Sequence, residues 1–145
     1  MQLSKNFTLK ELCASDTAKQ YNILNWPAED VIIVEITALC QKVLQPLRDH
    51  FGAIRLNSGY RCQMLNGLVG STNPQSQHTK GQAADINVGN SRERAAEMVR
   101  YMQTAGIKFD QAIIEHDKKG SVWLHVSHRA DGENRGRVIL DMEKV

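Results

Sequence analysis

The fold is decided by residues 111–127, which read QAIIEHDKKGSVWLHVS. Two runs rich in apolar and β-branched residues, Gln111 to Glu115 and Val122 to Ser127, flank the turn formers of residues 117–120. This arrangement predicts two antiparallel strands joined by a hairpin turn. Because side chains alternate across a strand, Trp123, His125 and Ser127 share one face of the second strand.

The segments around this hairpin predict further strands and an α+β fold. Short strands are expected at Ala53–Asn57 and Ala83–Val88, and Arg137–Asp141 is expected to add an edge strand. Residues 70–77 have the Gly, Ser, Asn and Pro content of an irregular surface loop. Helices that precede hairpin-linked strands favour N-terminal helices packed on a small antiparallel sheet.

The N-terminal third predicts the helices. Thr8 and Glu11 have the spacing of a capping box, which predicts that a helix begins there. A long helix is expected from Pro27 to about His50, with Pro46 kinking or splitting it. Its core-facing stripe is expected to contain apolar residues at intervals of three to five: Val31, Val34, Leu39, Val43, Leu47 and Phe51. After the second strand, Ser91 is placed to cap another helix that ends near Gly106.

Length and composition exclude several classes of protein. The 145 residues are enough for one domain, predicted to span 1–145. A net charge of +2 is too small to favour a binder of nucleic acid or membrane surfaces, and no apolar run is long enough to cross a membrane. Cys13, Cys40 and Cys62 are odd in number and widely spaced, which favours reduced thiols over a disulfide framework.

The most informative polar segment runs from Ser76 to Asp85. It contains His78 and Asp85, which would lie about 23 Å apart in a fully extended chain. They could bind one metal ion only if the segment folded back, for which Gly81 supplies the backbone freedom. His125 is a third candidate ligand, and His, Asp and His with an open fourth position are typical of a catalytic zinc site. From spacing alone, an ordinary structural role for each of these residues stays open.

A carboxylate near such a site could accept a proton. Glu115 is the candidate by chain position, but Glu115 and His116 are neighbours on one strand, so only one of them can face a given site.

Three ordered motifs resemble the zinc D-Ala-D-Ala peptidase family. They are Ser58-Gly59-Tyr60-Arg61, the Ser-x-His-x-x-Gly-x-Ala-x-Asp pattern from Ser76 to Asp85, and Trp123-Leu124-His125-Val126-Ser127. This family includes D-Ala-D-Ala carboxypeptidases, dipeptidases and phage L-alanyl-D-glutamate endolysins, and it is structurally related to hedgehog domains. The resemblance spans nearly the whole chain and implies a zinc site carried by the sheet.

The resemblance also implies residue roles. His78, Asp85 and His125 match the zinc ligands, and Arg61 matches the arginine that stabilises the oxyanion or holds substrate. Dipeptidase-like members have a glutamate three residues before the last histidine, where this chain has Val122. Glu115 resembles instead the upstream glutamate of hedgehog domains, and we expect it to be the general base.

Three further residues are expected to line the substrate groove: Ser76, Gln77 and Trp123. The Ser76 hydroxyl could equally order its own loop. His116 and His128 are secondary candidates for stabilising the oxyanion.

The resemblance implies a zinc metallopeptidase that hydrolyses peptidoglycan stem-peptide bonds involving D-amino acids, either as a carboxypeptidase or as an endolysin-type endopeptidase. The substrate is expected to be peptidoglycan or muropeptides, and the protein a monomer that binds no nucleic acid and does not insert into membranes. Without a recognisable signal peptide, the chain is expected to be made in the cytoplasm and to reach the bacterial cell wall through a phage pore. The alternative is a non-catalytic, hedgehog-like zinc domain that binds cell-wall fragments or a protein partner.

Overall fold

The structure is a computed structural model that describes residues 1–71 and 73–144. Thr72, within the loop predicted at 70–77, and Val145 lie outside the described residues. The described helices are α1 (Leu9–Leu12), α2 (Asp16–Gln20), α3 (Asp30–Leu39), α4 (Gln45–Phe51), α5 (Gln63–Leu68) and α6 (Arg92–Thr104). The described strands are β1 (Gln2–Ser4), β2 (Phe7–Thr8), β3 (Arg55–Ser58), β4 (Ala83–Asn87), β5 (Gln111–His116), β6 (Val122–Ser127) and β7 (Arg137–Glu143).

The strands form two sheets. β1 and β2 make a small antiparallel pair, and the other five strands lie in the order β3-β4-β6-β5-β7. Neighbours in the larger sheet are antiparallel except β5 and β7, which are parallel. The α+β class is therefore confirmed, and the main sheet differs from the predicted antiparallel one in being mixed.

The direction of β7 follows from where β6 ends. The β5–β6 register puts the end of β6 beside the start of β5, since Ala112 pairs with Val126. The chain then passes this end of the sheet, and Arg137 at the start of β7 pairs with Gln111 at the start of β5. Because the chain crosses the starting end of β5 to reach its far side, β7 begins at the same end as β5 and runs parallel to it.

Pro46 changes the long N-terminal helix as predicted, by a local adjustment. Between α3 and α4, residues Cys40–Leu44 form a π-helical turn in which the Gln45 N–H donates to the Cys40 carbonyl. Pro46 then lies in the first turn of α4, where its missing N–H costs little. A π turn is a usual way to absorb such an interruption within a helix.

Two details of this helix were predicted wrongly. It begins at Asp30 with Glu29 as the N-cap, so Pro27 precedes it. Val31 and Val34 are exposed, whereas the buried side is formed by Ile36, Leu39, Cys40, Val43, Leu44 and Leu47. The apolar stripe was therefore placed on the wrong side in the first turns, where Ile32 and Ile33 pack against the core instead.

Other helix ends follow the predicted capping. The Thr8 hydroxyl accepts from the Glu11 N–H, and the Ser91 hydroxyl accepts from the Arg94 N–H at the start of α6. A similar cap by Ser15 begins α2, a one-turn helix that the sequence pattern did not indicate.

The sheet separates core from site by the two-residue period of its strands. On one face, central residues are fully or almost fully buried in the core: Ala84, Ile86, Ala112, Ile114, Leu124 and Val126. The alternate residues on the same strands include Asp85, Glu115 and His125. The strands therefore hold a group of polar side chains on a face opposite the core.

The remaining observations concern cysteines and membranes. Cys13, Cys40 and Cys62 form no disulfide with one another. Within the described residues, no helix combines the length and the apolar character that crossing a bilayer requires.

Candidate metal centre and active site

His78 is buried and its ring is held by the backbone of another segment. Its Nδ1 lies 2.7 Å from the Gly59 carbonyl oxygen. Because a carbonyl oxygen can only accept, Nδ1 carries the proton and Nε2 is left as the ring's ligand atom. Nε2 lies 3.4 Å from Oδ1 of Asp85. The loop before β4 thus turns back, as the spacing required.

Two glycines permit these close approaches. Gly81 has φ +74°, and a Cβ there would also collide with Ile36 and with the Ile32 carbonyl of α3. A Cβ at Gly59 would collide with the Leu12 carbonyl, which accepts from the Tyr60 N–H. Any larger residue would therefore displace the segments that present His78 and its carbonyl partner.

Asp85 and His125 are brought together by strand register. They are directly paired between β4 and β6, and His125 Nδ1 lies 3.1 Å from Asp85 Oδ1. One ligand atom from each of His78, Asp85 and His125 lies within 4.8 Å of the other two. The side chains of Asp85 and His125 are only 14% and 12% exposed, so the group opens narrowly to solvent.

The donor set fits zinc. Two imidazole nitrogens and one carboxylate oxygen are ligand types that zinc accepts, and three protein ligands leave a fourth position open. Burial by itself would raise the pKa of Asp85, but the imidazoles of His78 and His125 hold it well below the usual range. The carboxylate is therefore ionised, which metal binding requires.

Arg61 lies beside this group, and its positive charge is not neutralised by an ion pair within the described residues. Burial lowers the pKa of its guanidinium, and the nearby carboxylates of Asp85 and Glu115 oppose that shift. Its buried Nε has no hydrogen-bond partner among the described residues, and no carboxylate there forms an ion pair with it within 4.0 Å. An arginine placed in this way can accept a new anionic partner at the cleft.

Glu115 faces the same group from β5 and is held by three side chains. It pairs across the sheet with Trp123, whose indole N–H donates to Oε1 over 2.8 Å. Oε1 also lies 3.9 Å from His125 Nδ1, and Lys144 Nζ lies 3.3 Å from Oε2. At 3% exposure, Glu115 is a buried carboxylate next to the ligand group.

A register shift in β7 selects which residues face the site. Arg137 and Ile139 pair with Gln111 and Ile113, but after the shift Met142 pairs with Glu115. Asp141 is thereby kept away from Glu115, on the other face of the sheet. There its carboxylate lies 3.0 Å from both His116 and Arg92. The shift removes a repelling carboxylate and lets Lys144 approach instead.

The expected oxyanion histidines lie elsewhere. His116 is on the face opposite Glu115 and is paired with Asp141. His128 lines neither of the clefts beside the ligand group. Burial lowers the pKa of its imidazole, and the nearby carboxylate of Glu35 opposes that shift. Neither residue is therefore placed to contact a substrate at the His78 group.

Ser76 and Gln77 line the cleft but also hold the ligand loop. The Ser76 hydroxyl accepts from the His78 N–H at 3.3 Å, which is the loop-ordering role left open above. The Gln77 amide donates to Asp110 Oδ2 at 3.0 Å and to Gln82 at 3.3 Å. Both side chains thus help to position His78, and the structure leaves their contact with substrate as a prediction.

Two grooves share lining residues beside the ligand group, and His125 lines both. The first, which we call the Arg61 arm, has a volume of about 790 Å³ and includes Arg61, His78 and Trp123. The second, the β7 arm, has a volume of about 560 Å³ and includes Gln77, Arg137 and Ile139. Their shared lining consists of Asn73, Ser76, Glu115, His125, Met142 and Lys144. An extended chain could therefore pass across the group from one arm to the other.

Three supporting features were missed from the sequence. The Gly59 carbonyl orients His78, and Lys144 contacts Glu115. The buried Asn25 donates to the carbonyl of Tyr60 and accepts from the N–H of Cys62, so it holds both neighbours of Arg61. No local sequence pattern marks any of the three, because each depends on contacts between segments that are distant in sequence.

Comparison with known proteins agrees with this geometry. A family model described as Peptidase M15 matches residues 5–127, and no curated protein matches the chain. Peptidases of this family depend on zinc, and the group of His78, Asp85 and His125 could hold the metal. The match covers the strands that carry this group and confirms the resemblance seen in the three motifs, so the chain belongs to the Peptidase M15 family of zinc metallopeptidases.

Proposed function

We propose that this protein hydrolyses peptide bonds of peptidoglycan stem peptides, at bonds that involve D-amino acids, and that it acts on the bacterial cell wall. The observation that carries the proposal is the convergence on one cleft of a zinc-type ligand group, a buried carboxylate and an arginine with no ion pair among the described residues. Membership of a peptidase family implies a peptide substrate. The motif resemblance to D-Ala-D-Ala peptidases supports the cell wall as the source of that peptide.

The chemistry that bound zinc supplies is that of a Lewis acid, which polarises the scissile carbonyl and lowers the pKa of a water to about 7. Glu115 accepts a proton from the attacking water as the new bond to the carbonyl carbon forms. It then delivers that proton to the amine nitrogen as the C–N bond breaks. The Trp123 indole N–H, bonded to Oε1, holds the carboxylate in one orientation during both transfers.

Arg61 contributes positive charge that needs no protonation step. Its guanidinium is placed to neutralise the tetrahedral oxyanion or a substrate carboxylate in the Arg61 arm. Asn25 keeps the backbone on both sides of Arg61 in place, so the charge is positioned before substrate binds. This preorganisation favours the transition state over the ground state.

The two arms support an endopeptidase over a carboxypeptidase. A carboxypeptidase needs only a short, closed subsite beyond the scissile bond, whereas here His125 lines two grooves, of about 790 and 560 Å³. A substrate that continues in both directions would use both grooves.

The test is hydrolysis of purified peptidoglycan by the zinc-loaded protein, with metal content measured on the same sample. We expect turnover to be lost on chelation and restored by zinc, and to be absent from His78→Ala. His50→Ala, which changes a histidine outside both arms, is the matched control and should retain activity. Retained cleavage by metal-free protein or by His78→Ala would overturn the proposal.

Mass spectrometry of the digested muropeptides separates the finer alternatives. A new internal amine is expected for an endopeptidase, whereas loss of only a terminal D-Ala would identify a carboxypeptidase. Binding of zinc and of wall fragments without any turnover would favour the non-catalytic zinc domain.

A further inference from the structure

The two arms of the cleft differ in charge. Among described residues, the β7 arm is lined by five basic side chains, Lys80, Arg129, Arg135, Arg137 and Lys144, and by two acidic ones, Asp110 and Glu115. The Arg61 arm has four basic side chains, Arg61, Lys118, Lys119 and Lys144, and four acidic ones, Asp85, Glu115, Asp117 and Glu143. Since the whole chain carries only +2, positive charge is concentrated in the β7 arm.

Much of this charge is already used within the protein. Arg135 forks onto the buried Asp110, with contacts of 2.9 and 2.8 Å, and Arg129 Nε lies 3.1 Å from Asp131. Lys144 pairs with Glu115, as described above. Arg137 and Lys80 are exposed and have no ion pair within the described part of the chain. These two cations remain for a ligand.

The segment that leads to Arg137 is held in place by buried groups. The buried carboxylate of Glu35 accepts from the Ala130 N–H through both oxygens at 3.0 Å. Asp110 accepts from the Arg135 N–H, and its carbonyl accepts from the Arg137 N–H at 2.9 Å. Pairing with Gln111 then directs Arg137 to the same face as Ile113 and Glu115. The cation is thus presented to the arm by a fixed backbone.

We propose that the β7 arm binds the carboxylates of an acidic peptide segment through Arg137 and Lys80, so that the acidic side of the substrate lies in this arm. The inference rests on the proposed function, because it treats the two arms as one substrate groove. A guanidinium forms paired, charge-assisted hydrogen bonds with a carboxylate, and a neighbouring ammonium adds to the attraction. The continuity of the arm with a peptidase centre favours a peptide carboxylate over the phosphate of a wall polymer.

The experiment compares two synthetic stem peptides of one sequence, one with free side carboxylates and one with those carboxylates amidated. Equilibrium binding is measured on the zinc-loaded full chain with non-hydrolysable analogues of both peptides, so that neither is consumed and Lys144 keeps its pair with Glu115. The double substitution Lys80→Gln and Arg137→Gln is then added. The matched control is Lys108→Gln with Arg100→Gln, which removes the same charge from exposed positions outside both arms.

We expect the free-carboxylate peptide to bind about 3- to 10-fold more tightly than its amidated form at low salt. The Lys80→Gln and Arg137→Gln pair should remove this preference, whereas the control pair should leave it within twofold. Equal binding of the two peptides, or equal loss in both double variants, would overturn the inference. So would a preference for polyphosphate over the acidic peptide that depends on Lys80 and Arg137.

The outcome is separable from that of the proposed function. Hydrolysis of the two unmodified, cleavable peptides is measured in parallel on the same protein. If the acidic peptide is preferred but neither peptide is cut, the proposed function fails and the β7 arm remains an acidic-peptide site. If both peptides are cut without preference, the proposed function stands and the inference fails.

Discussion

The central strands and the edge strand contribute to the site in different ways. On β4 and β6, Asp85 and His125 are mostly buried, directly paired and in contact through side chains. On β7, Arg137 is exposed, and the Lys144 side chain just beyond the strand is 52% exposed. The central strands lie within residues 5–127, the part matched by the family, whereas β7 lies outside it.

This difference indicates a division between chemistry and selection. A buried, paired ligand cannot be changed without losing its partners, because the strands that carry it also form the core on their other face. An exposed cation at the edge can be replaced at small energetic cost. Glu115 on β5 lies between the two regions and contacts residues of both. Substitutions can therefore be ranked by their distance from the central strands.

Among substitutions outside the ligand group of His78, Asp85 and His125, the largest effect is expected for Glu115→Gln. The amide keeps the size of the side chain and an oxygen for the Trp123 N–H, but it cannot accept the water's proton. We expect kcat to fall about 10²- to 10⁴-fold with zinc content unchanged. Steady-state hydrolysis together with metal analysis measures both quantities.

Glu93→Gln, an exposed carboxylate in the first turn of α6, serves as the control and should keep wild-type activity. Activity of Glu115→Gln within tenfold of wild type would mean that another group is the base.

The next effect is expected for Gly59→Ala. The added Cβ collides with the Leu12 carbonyl, and relief of that collision moves the Gly59 carbonyl away from His78 Nδ1. Loss of such a partner of a metal ligand typically weakens metal binding about 10- to 100-fold. Zinc affinity is measured by chelator competition, and the unfolding free energy is expected to fall by about 1–3 kcal/mol.

Gly67→Ala is the matched control, since nothing lies within 4 Å of a Cβ at that helical position. It should leave zinc affinity unchanged and should not reduce stability. An equal loss of zinc in both variants would refute the role assigned to the Gly59 carbonyl.

The sequence predicts the central region better than the edge for a physical reason. Alternation in residues 122–127 and the turn formers at 117–120 are local signals, and they predicted β6 with its observed bounds. Whether Glu115 or His116 faces the site depends on strand register, which sets the pairing of Glu115 with Trp123. Register depends on tertiary pairing, so the sequence pattern alone could not decide whether Glu115 or His116 faces the site.

The direction of β7 depends on contacts that are remote in sequence. Residues 128–136 are held by Glu35, 95 residues away from Ala130, and by Asp110. The register shift that exchanges Asp141 for Met142 has no local signal comparable to a turn motif. For the same reason Lys144 was not predicted as a partner of Glu115, although the three ligand residues could be named from their motifs.

A moderate effect on stability is expected for Asp110→Asn, which tests the anchor of the edge region. Hydrogen bonds from the Arg135 guanidinium lower the pKa of Asp110 to about 2, and hydrogen bonds from the Arg135 backbone N–H and the Gln77 amide lower it less. Because this folded-state pKa lies below the unfolded value of about 3.9, the stabilisation is present above pH 4 and is lost as the pH falls toward 2. Asn at this position should remove that part of the pH dependence.

Thermal unfolding of zinc-free protein between pH 2 and 7 measures the effect without interference from metal release. At pH 7 we expect Asp110→Asn to be about 2 kcal/mol less stable, because two charge-assisted hydrogen bonds are weakened. The difference from wild type should shrink at low pH. A constant difference from pH 2 to 7 would show that the Asp110 charge is not its cause.

The smallest effect is expected for Lys144→Gln, which tests the contact between the edge region beyond β7 and the proposed base Glu115. Lys144 contacts Glu115 at 3.3 Å but is half exposed, so water screens the pair and can replace the ammonium. The Trp123 N–H still holds the other carboxylate oxygen, and kcat should fall only about two- to fivefold with zinc content unchanged. Lys108→Gln controls for the loss of one positive charge. If Lys144→Gln were as inactive as Glu115→Gln, the carboxylate would depend on the edge strand for its position, and the separation between a central chemical region and a selecting edge would not hold.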